Sequence, residues 1–178
     1  MRLSLTLSFA AIVTLSGCTA VPNAAPPPPE PAPAPIPMPA PAPAPALGPD
    51  WRDWPVTPGN WTYRAETGGS LAAFGRPGAA PDFTIRCVRA QGQVVLSRAG
   101  GGLAQMSMTV TPSTAIRQLT AQAAGAEAGS VAVTLGARDS LLDAMGYSRG
   151  RFVVRVGDLT PLVLPAWAEV LRVVEDCR

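Results

Sequence analysis

Asp139 and Asp143 stand one helical turn apart, a spacing at which two carboxylates can act as acid and nucleophile in glycosidase-type hydrolysis. Arg149 and Arg151 flank a glycine, with Arg155 just beyond, and guanidiniums paired at a turn can grip a phosphate, a carboxylate or an acidic partner. Trp51 and Trp54, followed by Trp61 and Tyr63, offer ring faces on which a sugar could stack. Met106 and Met108 supply two thioethers of the kind copper(I) takes. Each feature also has a plainer origin. A carboxylate at a helix start complements the helix dipole, and exposed charges seldom have a specific partner. Indoles commonly lie over the end of a core, and alternate methionines on an apolar face belong to a core strand. The residues therefore give a candidate binding set of Arg149, Arg151, Arg155, Trp51 and Trp54. They give no metal site and no cofactor, and only Asp139 and Asp143 as an alternative catalytic pair.

What is missing limits the chemistry further. The 178 residues contain no histidine, and all 14 of the Lys+Arg cations are arginine. Nucleophile pairs that rely on histidine, histidine metal ligands, a P-loop lysine and a Schiff-base lysine are all excluded. A formal net charge of +2 supplies no broad field to attract nucleic acid.

The elements that must position these residues begin after residue 17. Arg2 and the apolar run from Leu3 to Leu15 have the form of an export signal, too short for a permanent membrane span, which needs about 20 residues. Leu15-Ser16-Gly17-Cys18 resembles the lipobox of bacterial lipoproteins. That resemblance implies removal of residues 1–17 and lipidation of Cys18, with Thr19 in place of an inner-membrane retention Asp pointing to the outer membrane, facing the periplasm. Cys87 and Cys177 remain, and in an exported chain they are expected to form a disulfide. Residues 18–49 are rich in proline and alanine, a composition that favours extended polyproline II and a spacer role. One domain is expected over residues 50–178.

Within that domain apolar residues recur at every second position in Phe83-Ile85-Cys87, Met106-Met108-Val110, Val131-Val133-Leu135 and Phe152-Val154-Val156, the period of half-buried strands. Gln91-Gly92 turns residues 82–98 into a hairpin. Asp139 or Ser140 can cap a short helix near 139–146, Ser140-Leu141-Leu142-Asp143 fitting a capping pattern and Gly146 able to end it. A C-terminal helix near 165–176 would start at Pro165 and turn Trp167, Val170, Leu171 and Val174 to the sheet. The fold class is mainly β (α+β), an antiparallel, sandwich-like sheet domain with two helices.

The order of a tryptophan strand, Ile85-Arg86-Cys87, a hairpin return, Leu141-Leu142-Asp143-Ala144-Met145, a strand and a helix ending at Cys177 resembles the VasI-like proteins associated with type VI secretion. The resemblance agrees with a Cys87–Cys177 disulfide and supplies no catalytic residue. The expectation is a lipid-anchored, non-catalytic binding or accessory module of the cell envelope. Its partners would be the membrane, through the lipid, and an envelope protein or cell-wall component. The alternative is a carboxylate-dependent hydrolase or binder acting on cell-wall glycans.

Overall fold

The computed structural model describes residues 47–100, 105–124 and 129–178; the signal, Cys18 and the tether up to residue 46 lie outside them. Nine strands form one sheet: β1 (Asn60–Glu66), β2 (Gly69–Gly75), β3 (Phe83–Val88), β4 (Gln93–Ala99), β5 (Met106–Thr111), β6 (Arg117–Ala123), β7 (Ser130–Gly136), β8 (Arg151–Val156) and β9 (Leu162–Pro165). Their order is β1-β2-β3-β4-β7-β6-β5-β8-β9, and every pair is antiparallel. The protein is thus mainly β with two short helices, α1 (Ser140–Gly146) and α2 (Ala168–Asp176). The layering comes from one sheet curled around its core, not from two separate sheets.

The curl brings the sheet's two end strands together. The Trp61 indole N–H on β1 donates to the Pro165 carbonyl on β9 at 2.8 Å. Thr57 bonds Val163 twice, through its amide to the Val163 carbonyl at 3.0 Å and through its hydroxyl from the Val163 amide at 2.9 Å. Hydrogen-bonding groups of an edge strand that would invite aggregation are thereby covered. At the middle of the sheet β6 and β7 pair only at Gln122–Ala132 and Ala123–Val131. Beyond that point Asp139, three residues after β7, reaches Arg117 at the start of β6.

The alternating runs lie as their periodicity requires. Phe83, Ile85, Cys87, Val94, Leu96, Met108, Val110, Val131, Val133, Leu135, Phe152, Val154 and Val156 share the inner face and form one core with α1 and α2. Cys87 and Cys177 are joined as a disulfide with Cα atoms 5.4 Å apart, pinning the end of α2 across β3.

The C-terminal helix begins later than its proline suggests. Pro165 closes β9 opposite Arg151, and Trp167 is the N-cap, 46% exposed. The buried stripe is accordingly Val170, Val173, Val174 and Cys177. Leu162 to Pro165 shows no alternation because both faces of β9 are covered. Gly146 is the last residue within α1, as expected, capped by Tyr147, and a Cβ there would overlap the Leu171 side chain of α2. Its lack of a side chain also permits close helix approach.

Candidate functional site

On β8 the odd-numbered residues face away from the main core, so Arg151 and Arg155 flank Val153 on the outer surface. Trp54 lies over Val153 and Val163 and is only 7% exposed. The Arg151 guanidinium donates to the Trp54 carbonyl at 2.5 Å, while the Arg155 guanidinium sits 4.8 Å from the Trp54 ring centroid. The indole N–H completes the arrangement by donating to the Gly48 carbonyl at 2.6 Å. Two of the candidate arginines therefore clasp one of the candidate tryptophans and strap the N-terminal segment onto the sheet. Trp54 has no free face to offer a ligand.

Trp51 and Arg149 have a different setting. Asp50 caps a short 3-10 turn over Trp51–Asp53 by accepting the Arg52 amide at 2.9 Å, a bond that, with the Arg52 charge, holds its carboxyl below the usual range. The Arg52 guanidinium rests 5.0 Å from the Trp51 ring centroid and 3.3 Å from the Asp50 carboxylate. Across from this turn, two serines knit the connection after α1 to the loop after β5. Ser148 Oγ accepts from the Ser113 amide at 2.9 Å, and Ser113 Oγ accepts from the Arg149 amide at 3.1 Å. Trp51, Arg52, Ser113, Arg149 and Arg151 then line a cleft of about 180 Å³. It adjoins a shallower recess of about 500 Å³ that runs along Thr111 to Ile116 and shares Trp51 and Arg52.

Arg151 and Arg52 enter the cleft already bonded, whereas the Arg149 side chain has no hydrogen bond, ion pair or ring contact among the described residues. A guanidinium with its whole fork of donors available, set near an indole, suits a carboxylate or phosphate group. No carboxylate lines the cleft, so it holds no group for acid or base chemistry.

The alternative catalytic pair is engaged elsewhere. Asp139 accepts the Leu141 amide at 2.9 Å as the N-cap of α1 and takes both Arg117 Nη atoms at 2.5 and 2.6 Å. The Arg117 hydrogen bonds, more than the capped amide, hold its carboxyl below the usual aspartate range. A proton donor needs the opposite shift. Asp143 accepts from Arg178 at 2.6 Å. Of the two methionines, Met108 is fully buried in the core and Met106 packs against its margin.

Five candidate binding residues, chosen from two distant stretches, thus meet on one surface: Trp54, Arg151 and Arg155 form a clasp, and Trp51 and Arg149 line a cleft that Arg151 also borders. Arg52 and Ser113 belong to the cleft without having been singled out. Arg52 could have been noticed as the cation next to Trp51. Ser113 carried no signal, because its role depends on a serine 35 residues away. No family model, curated protein or solved structure matches the chain.

Proposed function

We propose that the protein is a lipid-anchored component of the cell envelope, held at the outer membrane through Cys18 and facing the periplasm. It acts as a non-catalytic binding or accessory module, and its cleft takes an acidic side chain of an envelope partner protein. The observation that carries this reading is the unpaired Arg149 side chain in a cleft that also holds Trp51.

The surroundings support it. Ile116 and Tyr147, 76% and 71% exposed, lie on the two segments that Ser113 and Ser148 tie together. The Ala166 amide, beside exposed Trp167, donates to the Gly150 carbonyl of the same turn at 3.1 Å. Aromatic side chains and arginine dominate the energetic centres of protein interfaces. A photo-activated cross-linker placed at Ile116 in living cells tests the proposal. One recurrent envelope protein should be captured by the native cleft and lost with Arg149→Glu. Capture that survives this charge reversal would retire the cleft as the site.

A further inference from the structure

A second surface, on the outer face of β1, β2 and β3, carries a different arrangement. The register sets residues side by side across the three strands, Thr62-Ala73-Thr84 in one row and Arg64-Leu71-Arg86 in the next. Because the middle strand contributes only Leu71, Ala73 and Gly75, a trough of about 530 Å³ runs along it between longer side chains. The connection from Arg76 to Pro81 closes one end. It comes so close that a Cβ on Gly75 would stand 3.1 Å from the Pro81 Cα.

One carboxylate organises the other end. Glu66 accepts from Arg64 Nε at 2.8 Å with one oxygen and from Arg86 Nη1 with the other. Each guanidinium is tethered by one nitrogen and keeps the rest of its donors. The Arg76 side chain, at the closed end, has no hydrogen bond or ion pair among the described residues. Three cations and one anion therefore surround a floor of small side chains, with Asn60, Thr62 and Thr84 adding neutral polar groups.

We infer that this trough binds an acidic oligosaccharide, a chain of sugar rings carrying carboxylates. The charge excess, two guanidiniums held in place at one end and a third at the other, demands anionic groups spaced along the ligand. The trough follows β2 from Leu71 to Gly75, about 13 Å at the usual strand rise, room for two or three rings and more than a free phosphate or carboxylate would use. Asn60 and Thr62 on one wall and the Thr84 hydroxyl on the other match a ligand rich in hydroxyls, and the Leu71-Ala73 floor accepts the C–H face of a ring. No aromatic side chain lines the trough, so it lacks the stacking platform of a single-stranded nucleic acid site.

The test is calorimetric titration of the full-length protein with trigalacturonate at low salt, with neutral maltotriose and triglutamate as comparisons. Saturable binding of trigalacturonate alone is expected. Arg76→Ala removes an unpaired surface side chain and should weaken binding about tenfold, the worth of one charge-assisted contact. Ala73→Leu fills the floor and should abolish binding while the melting temperature holds, whereas Arg149→Glu should leave it unchanged and so separates this site from the cleft. Absence of saturable binding, equal affinity for maltotriose or triglutamate, or retained affinity in both trough variants would overturn the inference.

Discussion

Asp139 shows how a pair with catalytic spacing becomes structural once its partner is known. Its carboxylate closes the gap between β6 and β7 through Arg117 and caps α1 at the same time. Arg117 is 39% exposed in its side chain, so solvent screening keeps the ion pair near the surface range of roughly 0.5 to 1 kcal/mol. The cap adds about 1 kcal/mol. Asp139→Asn keeps a good cap and loses the charge, so it should cost about 0.5 to 1 kcal/mol in urea unfolding at pH 7. Asp139→Ala loses both and should cost about twice that. The sign of the pH dependence follows from the lowered native pKa. Unfolded aspartate titrates near pH 3.9, so the contribution is complete above that value and disappears as pH falls through the lower native value. Asp139→Asn should therefore flatten part of the acid-side loss below about pH 4, and an unchanged profile would assign that loss to other carboxylates. The sequence offered Asp139 or Ser140 as the cap, and the structure uses Asp139, with Ser140 as the first helical residue. The arginine was not legible, because it stands 22 residues away on a strand with no clear pattern of its own.

At the level of elements, legibility followed solvent. β3, β4, β5, β7 and β8 each keep a polar or partly exposed face, and their two-residue period is plain. β9 is covered on both sides, by the core and by Trp54, and β2 is built largely of Gly, Ser and Ala, so neither shows alternation. Two predictions test how these elements are held. The disulfide closes a loop of 90 residues, and the chain-entropy argument gives it about 4 to 5 kcal/mol. Replacing both Cys87 and Cys177 with serine should lower unfolding stability by a large part of that amount, and a loss under about 1 kcal/mol would mean the denatured chain is already constrained. The clasp makes a more local claim. Trp54→Ala should release the 47–58 strap and speed hydrogen exchange at the Val163 amide, which Thr57 now accepts, while the Leu96 amide in central β4 stays protected. Equal acceleration at both amides would mean that the strap and the core open as one unit.

At the scale of the whole molecule, anchoring and recognition are assigned to separate parts of the chain, and this separation can be tested. The proposed lipid sits on Cys18, whereas the cleft lies at the surface where the N-terminal strap meets β8. In the sequence, proline-rich residues 21–46 separate Cys18 from the described domain. The proposed lipid attachment would raise the local concentration of the cleft around membrane-bound partners without any contact of its own. Cys18→Ser should leave the folded domain and its Cys87–Cys177 bond intact, abolish incorporation of labelled palmitate and move the protein to the soluble periplasmic fraction. Arg149→Glu should do the reverse, remaining in the membrane fraction but losing the cross-linked partner. In the Cys18→Ser variant the cleft is unaltered, so capture should fall with the lost local concentration and return when the soluble protein is overproduced. Capture that stays absent at high expression would show that the lipid is part of the recognition itself, and an unlabelled native protein would remove the anchor from the account.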